Sequence, residues 1–205
     1  MVSYKNIGSF ALVSVYDKSK LSLICKSFKK FNIGIISTGS TFNKIKNLGY
    51  ECFEISKLTD FKEILDGRVK TLHHKIYSSI LFDRNKLEHF KTFNKIKFPR
   101  IDYVVVNLYP FKKFSKKKQV IEKTIEMIDI GGSALIRSAS KNYHSITTLS
   151  SPKNYTEFSK NLTKNKGCTT LIFRKKMAIR AFKLSYKYDK DIFEWLSNKQ
   201  QQQIK

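Results

Sequence analysis

The stretch that decides the fold class is FALVSVYDKSKLSLICKSFKKFNIGIIS, residues 10–37. Its two ends, residues 10–15 and 33–37, are short apolar runs typical of buried strands. Between them, five apolar side chains recur at helical spacing: Leu21, Ile24, Cys25, Phe28 and Phe31. A strand, a helix and a second strand in this order predict a parallel strand pair joined by a crossover helix.

Three later stretches predict further strands: ECFEIS (51–56), IDYVVVNL (101–108) and SITTLSS (145–151). Residues 101–108 form the strongest of these, because a continuous β-branched run suits the centre of a sheet covered on both faces. We therefore expect an α/β fold that is Rossmann-like, with a mostly parallel central sheet flanked by helices.

Helical spacing also occurs outside the opening stretch. A short helix is predicted over residues 42–48, where Gly49 ends it, and residues 119–128 show the same periodicity. Toward the C-terminus we expect a packing helix from Thr169 onward and a second one around residues 193–196.

The remaining segments are polar. Thr59 suits the N-cap of a short helix through Leu65, whereas FKKFSKKKQ (111–119) predicts an exposed loop. Residues 198–205 form a polar tail that we expect to fray. Length favours a single domain, which we place at residues 1–197.

Composition excludes several classes of protein. The 41% hydrophobic and 13% aromatic content of the 205 residues excludes wholesale disorder. No apolar run approaches the roughly 20 residues of a membrane-spanning helix, so we expect a soluble cytoplasmic protein with no membrane partner. Cys25, Cys52 and Cys168 are odd in number and far apart, which predicts buried thiols rather than disulfides or a zinc site.

The net charge of +24 raises the question of nucleic-acid binding. Only six of the 40 basic residues are arginine, the side chain that forks onto phosphates and bases. The lysines are spread along the chain without an interleaved aromatic cluster. We therefore interpret the charge as solvated surface and expect no nucleic-acid partner.

Ligands of open parallel sheets gather beyond the carboxyl ends of the strands. YDKS (16–19) follows the first predicted strand, STGST (37–41) the second, and Asn107, Tyr109 and Pro110 the strand at 101–108. STGST offers hydroxyls, a glycine and a helix N-terminus, which suit a phosphate but are equally common in an ordinary cap.

Two further stretches are rich in reactive side chains. DGRVKTLHHK (66–75) is either a solvated basic loop or part of a site, and its adjacent histidines are weak evidence for a metal. In DIGGSALIRSASKN (129–142), Gly131 and Gly132 would let backbone amides approach a ligand at a helix start. Arg137 stands four residues before Lys141 and is expected to help that lysine release a proton.

Four stretches, taken together, resemble one enzyme family in order and spacing: VSVYDKS (13–19), STGST (37–41), DGRVKTLHHKI (66–76) with VVVNLYPF (104–111), and IDIGGSALIRSASKN (128–142). The family is the IMP cyclohydrolase domain, the N-terminal part of the bifunctional purine-biosynthesis enzyme. The resemblance covers nearly the whole chain. It implies a methylglyoxal-synthase-like fold and closure of the purine ring by dehydration of 5-formamidoimidazole-4-carboxamide ribonucleotide to IMP.

The resemblance also implies site residues. Lys141 matches the proton donor/acceptor, and Lys70, Tyr109 and Asp129 match the other catalytic side chains, with Asp129 orienting the carboxamide and holding the lysines. The implied nucleotide contacts are Tyr16, Asp17, Lys18, Thr38, Gly39, Ser40, Thr41, Arg68, Val69, Thr71, Val106, Asn107 and Ile130. No metal and no cofactor are implied.

The implied partners are the nucleotide substrate, IMP and a second copy in a homodimer. The formyltransferase domain that follows in the family is absent, which leaves a stand-alone enzyme with a separate formyltransferase chain, or a fragment. The sequence departs from the family at Tyr16, Ser40, His74 and residues 77–79. Ser40 replaces a glycine, and serine is strained where φ is positive. The alternative function is a catalytically silent domain that binds a phosphorylated metabolite or takes part in an assembly.

Overall fold

The computed structural model describes residues 7–65, 67–116 and 121–203. Within these ranges five strands form one parallel sheet in the order β3-β2-β1-β4-β5. The strands are β1 Phe10–Val15, β2 Gly34–Ser37, β3 Phe53–Glu54, β4 Ile101–Asn107 and β5 Thr147–Leu149. The predicted α/β class is confirmed.

Helices connect and cover the strands. They are α1 Leu21–Lys30, α2 Gly39–Asn47, α3 Ile55–Thr59, α4 His74–Leu81, α5 Leu87–Ile96, α6 Phe111–Ser115, α7 Ile121–Ile125, α8 Ile130–Lys141, α9 Tyr155–Lys164 and α10 Leu171–Gln203, with a 3-10 turn at Pro152–Asn154. None of the helices in the described ranges is both long and apolar enough to cross a membrane.

Each face of the sheet has its own core because side chains alternate along a strand. On β1, Ala11 and Val13 belong to one buried cluster together with Phe28 and Phe158 from α1 and α9. Leu12 belongs to the cluster on the other face, which α4, α5 and α8 cover. With both faces covered, the strands are continuous apolar runs, and this explains why residues 101–107 are buried throughout.

Strand order creates a switch point in the sheet. The chain runs outward from β1 through β2 to β3, and then crosses to the other side of β1 for β4 and β5. The connections after β1 and β4 therefore diverge in opposite directions and leave a crevice at their carboxyl ends. The ends of these two strands pair directly, with Val15 opposite Asn107.

Two predictions about helices are corrected. Thr59 ends α3 instead of starting a helix: its hydroxyl donates to the carbonyl of Ile55 at 3.0 Å, and Asp60 has a φ of +58°. In the predicted loop at 111–119, residues 111–115 are helical, and burial of Phe111 fixes this helix on the core. Positions 117–119 lie outside the described residues.

Other predictions hold only in part. The predicted helix at 119–128 shrinks to α7, and its first two positions lie outside the described residues. The two C-terminal helices are one continuous α10, which includes residues 198–203 of the expected frayed tail. The first turns of α10 pack on one core and Ala181 packs on the other. Because the buried side of the helix changes along its length, the apolar spacing in the sequence does not indicate a single helix. Helices α4, α5 and α9 were not predicted.

The cysteines differ from one another in burial. Cys25 is buried, Cys52 is half-buried and Cys168 is exposed, so the prediction of three buried thiols is wrong for Cys168. All three are free thiols. Burial raises the pKa of Cys25 and of Cys52 to about 12, which keeps both thiols protonated and unreactive at neutral pH.

Candidate active site

A cleft of about 1050 Å³ lies at the switch point. Three of its walls are formed by the segments at the carboxyl ends of β1, β4 and β5, which are residues 16–18, 107–113 and 150–152. The fourth wall is the side of α10 between Arg180 and Asp191. The structure thus brings together five predicted site residues in one lining: Tyr16, Asp17, Lys18, Asn107 and Tyr109.

Asn107 fixes the loop after β1. Its side-chain Oδ1 accepts the backbone N–H of Asp17 at 2.8 Å, and its Nδ2 donates to the carbonyl of Asp17 at 3.0 Å. The Asp17 carboxylate in turn accepts the N–H of Ser19 at 2.8 Å, which lowers the pKa of Asp17. The Asn107 side chain therefore shapes the cleft through the backbone of a neighbouring loop.

The STGST segment forms the end of β2 and the first turn of α2. Gly39 has a φ of +54°, whereas Ser40 is helical and needs no left-handed backbone, so its replacement of glycine causes no strain. The Thr41 hydroxyl donates to the carbonyl of Val15 at 3.0 Å and accepts its N–H at 3.2 Å. Thr41 thus ties the start of α2 to the end of β1.

The N-terminus of α8 explains the Gly-Gly pair. Asp129 is the N-cap, and its Oδ1 accepts the N–H of Gly132 at 2.7 Å. A Cβ at Gly132 would lie 2.5 Å from the carboxylate, so the cap requires glycine there. A Cβ at Gly131 would lie 2.9 Å from the hydroxyl of Thr71, so a glycine at position 131 lets the 67–73 loop approach the helix.

Asp129 is the electrostatic centre of this region. Burial raises the pKa of its carboxyl, while the N–H groups of Gly132 and Tyr109 and the ammonium of Lys70 act in the opposite direction. Burial and the neighbouring Asp129 carboxylate raise the pKa of the Tyr109 phenol. Asp129 thus lies within electrostatic range of both Lys70 and Tyr109, which are far apart in sequence, and Tyr109 lines the cleft.

Tyr16 contacts the predicted catalytic tyrosine. Its ring meets the ring of Tyr109 edge to face, with 5.2 Å between centroids. Tyr16 stands where the family has a small hydroxyl residue, so this chain replaces a polar side chain with an aromatic wall. Both tyrosines are partly exposed in the cleft, where each presents a ring and a hydroxyl.

The loop at 64–71 lies against the segment before α8. Arg68 forms an ion pair with Glu126, and Val69 uses its backbone in a bridge to Ile64. Thr71 is buried against Gly131. Of the two alternatives for this stretch, a fully solvated loop does not hold at Thr71, whereas Arg68 is exposed.

Several predicted contacts do not reach the cleft lining in the described part of the chain. Val106 is buried in the core on the α8 side of the sheet, so its side chain cannot contact a ligand. Ile130 is 61% exposed at the start of α8. Thr38 is buried as the N-cap residue of α2, but its side chain makes no capping hydrogen bond.

Lys141 is not brought together with the other predicted catalytic residues. It is the last residue of α8, twelve positions after the Asp129 cap, which places it about 18 Å along the helix axis. Its side chain is exposed. Arg137 lies over the ring of Phe182 at 6.0 Å rather than in the cleft.

The wall formed by α10 was missed at the sequence level. This helix contributes three basic residues to the cleft lining: Arg180, Lys183 and Lys187. Tyr188 also lines the cleft and is hydrogen-bonded to Asp129. No motif marks these residues, since lysines are common along the whole chain. A helical wheel of residues 171–203 as one helix would have placed them on one side.

The other departures from the family pattern have local roles. His73 is the N-cap of α4 and its Nδ1 accepts the N–H of Lys75 at 3.2 Å; His74 occupies the first helical position, where proline is favoured. Ser79 is buried and its Oγ donates to the carbonyl of Pro99 at 2.8 Å. No group of three or more metal-ligating side chains occurs in residues 7–65, 67–116 and 121–203.

Relatives with similar sequences align with most of this chain. It is 40% identical over 186 residues to the bifunctional purine biosynthesis protein PurH of Clostridium perfringens (strain SM101 / Type A), which covers 91% of this chain and 37% of the relative. It is 41% identical over 186 residues to the protein of the same name from Fusobacterium nucleatum, with the same coverage. The chain thus spans little more than a third of the length of these relatives.

A solved structure and two family models match as well. The crystal structure of ForH superposes with a TM-score of 0.81 and 26% identity, covering 92% of this chain and 98% of that one. Residues 139–205 match the AICARFT/IMPCHase bienzyme model, and residues 20–134 match the MGS-like domain model. The MGS-like domain model matches more than half of the residues of this chain, and the chain therefore belongs to the MGS-like domain family.

Proposed function

We propose that this chain is an IMP cyclohydrolase that closes the second purine ring in purine biosynthesis. The observation that supports this most is that Asp129 lies within electrostatic range of both Lys70 and Tyr109, beside the switch-point cleft that Tyr109 lines. The relatives are named as bifunctional purine biosynthesis proteins, and the bienzyme model matches the C-terminal third. The substrate in this proposal is 5-formamidoimidazole-4-carboxamide ribonucleotide.

The reaction is a dehydration that needs proton transfers. The carboxamide nitrogen attacks the formyl carbon, a C–N bond forms, and the formyl oxygen becomes negatively charged. The two ring nitrogens then each lose one proton, and the oxygen leaves as water with both. A site for this chemistry must stabilise the oxyanion and exchange protons with nitrogen and oxygen.

The three side chains suit these steps. Lys70 supplies positive charge for the oxyanion, and the N-terminus of α8 adds the partial positive charge of a helix start. Tyr109 is a neutral phenol at neutral pH, and burial and Asp129 raise its pKa further, so it is available as a hydrogen-bond donor. Asp129 accepts a hydrogen bond from the carboxamide and holds Lys70 by charge.

The phosphate end of the substrate is proposed to lie between Lys18 and the first turn of α2. That turn has no side-chain cap, so its N–H groups are available to an anion. Thr41 and Asn107 support this end indirectly, because their side chains hold the backbone of β1 and of the loop after it. Arg68 and Ile130 are exposed and are kept as further proposed nucleotide contacts, although they do not line the cleft.

Lys141 keeps its proposed role as proton donor/acceptor only if it comes from a second copy of the chain. The length of α8 separates it from Asp129 of the same chain. A homodimer is part of this proposal for that reason. Mixing a Lys141→Ala protein with an Asp129→Asn protein should restore activity in mixed dimers, whereas sites confined to one chain would give no recovery.

The remaining parts of the proposal concern context. A formyltransferase reaction must supply the substrate, because the ring closes on a formyl group already attached to nitrogen. A cytoplasmic location agrees with a substrate of this kind. Neither a metal nor an organic cofactor is required by the steps above.

The experiment is a turnover assay with purified protein. The formylated ribonucleotide is added after chelator treatment, and formation of IMP is followed by absorbance. Lys70→Gln should lose most of kcat, whereas Lys62→Gln, an exposed lysine of the preceding segment, should not. Folded protein that binds IMP without turnover would favour the silent binding domain instead.

A further inference from the structure

Tyr188 connects α10 to the residue at the centre of the site. Its hydroxyl donates to the carbonyl of Met127 at 3.0 Å and accepts the N–H of Asp129 at 2.9 Å. The side chain is only 8% exposed. One buried hydroxyl therefore bridges both ends of the three-residue segment that leads into α8.

The start of α8 lacks the local partner that this N–H would normally use. In a capping box, the side chain of the third helical residue accepts the N–H of the N-cap residue. Here the third helical residue is Gly132, which has no side chain and accommodates the Asp129 carboxylate. The Tyr188 hydroxyl takes the place of the missing acceptor from a helix about 60 residues later in the chain.

The surroundings hold the phenol in this position. The Tyr188 ring meets the ring of Phe111 edge to face at 6.3 Å, and Phe111 also contacts Trp195. Burial raises the pKa of Tyr188 to about 12, so the hydroxyl stays protonated and can donate and accept at once. Phe111 follows Tyr109 closely in sequence, so the same contact links α10 to both catalytic segments.

We propose that Tyr188 is a positioning residue that sets the place of the Asp129 carboxylate in the site. This inference rests on the proposed cyclohydrolase function for its kinetic consequences. Loss of the hydroxyl frees the N–H of Asp129 and the carbonyl of Met127, and the cap can then shift relative to Lys70. Small displacements of an orienting group lower the rate of the chemical step more than they weaken binding.

The kinetic test compares Tyr188→Phe with Tyr186→Phe. The first keeps the ring and its packing and removes only the hydroxyl; the second changes an exposed tyrosine of the same helix. We expect Tyr188→Phe to lower kcat about tenfold or more with little change in KM, and Tyr186→Phe to match the wild type. Unchanged kcat in Tyr188→Phe would overturn the proposal.

A double-mutant cycle tests whether Tyr188 acts through Asp129. In an Asp129→Asn background, Tyr188→Phe should have a much smaller effect on kcat than in the wild type. An equal effect in both backgrounds would show that Tyr188 acts by another route and would overturn the positioning role.

Amide hydrogen exchange tests the contact without reference to activity. Exchange at Asp129 and Gly132 should accelerate in Tyr188→Phe and remain unchanged in Tyr186→Phe. Absence of turnover in the wild-type protein would refute the proposed function but not the hydrogen bond of Tyr188. Unchanged amide exchange in Tyr188→Phe would refute the role of Tyr188, even if the protein is active.

Discussion

Replacement of Asp129 should separate stability from activity. Asp129 caps α8 through a 2.7 Å hydrogen bond to Gly132, and the account gives the same carboxylate a role in ring closure. Asp129→Ala removes the cap, which costs about 1 kcal/mol. For a chain of this size, that loss corresponds to a decrease in Tm of about 2–4 °C. Asp129→Asn keeps an acceptor oxygen and should retain the cap.

The pH dependence of stability should distinguish Asp129→Asn from the wild type. Burial raises the pKa of Asp129, so the folded protein binds this proton more tightly than the unfolded chain does. The resulting stabilisation is present below the unfolded-state pKa, about 3.9 for Asp, and is lost as pH rises through the folded-state pKa. The Tm of Asp129→Asn should equal that of the wild type at low pH and exceed it at neutral pH.

The two Asp129 variants should both lose activity, although they are expected to differ in stability. Both variants should lose kcat by a factor on the order of 10² or more, as expected for a group that handles protons and orientation. Thermal unfolding from acidic to neutral pH and steady-state kinetics provide the two measurements. An Asp129→Asn protein with wild-type kcat would refute the catalytic role, and one less stable than the wild type at neutral pH would refute the raised pKa.

Three further substitutions follow from the same geometry. Gly132→Ala should lower both Tm and kcat, since the new Cβ would lie 2.5 Å from the Asp129 carboxylate; thermal unfolding and kinetics that match the wild type would contradict this packing. Tyr16→Phe should preserve Tm, whereas Tyr16→Ser should lower stability by about 0.5–1.5 kcal/mol through loss of the edge-to-face pair with Tyr109; equal denaturation midpoints would exclude the pair as a stabilising contact. Thr41→Val should destabilise by about 1–3 kcal/mol, because the N–H at the end of β1 loses its buried acceptor; a neutral effect in urea unfolding would argue against that bond.

The sequence allows β1, β2 and β4 to be predicted because these strands are short apolar runs with both faces covered, whereas the predicted strand at 51–56 contains only the two-residue β3. The opening strand, helix and strand at 10–37 and the run at 101–107 all appear at the expected places. α10 is harder to predict, because its buried side changes from one core to the other and lysines cover the rest. Phe111 shows the same difficulty, since a fully buried residue lies among charged neighbours.

The site is predictable to the extent that its residues occur in motifs. Asp129, Lys70 and Tyr109 were identified from sequence, and the structure places them within electrostatic reach of one another. The distance along α8 to Lys141 follows from helix geometry once the helix bounds are known. Tyr188 could not be identified, because its role depends on a hydrogen bond between segments about 60 residues apart.

The most direct test of the central claim is formation of IMP by this chain alone. Purified protein is incubated with 5-formamidoimidazole-4-carboxamide ribonucleotide after chelator treatment and without folate, beside Lys70→Gln and Asp129→Asn at equal concentration. We predict that the wild type turns the substrate over and that both variants lose this activity by a factor on the order of 10² or more. Folded wild-type protein that forms no more IMP than the two variants would contradict it.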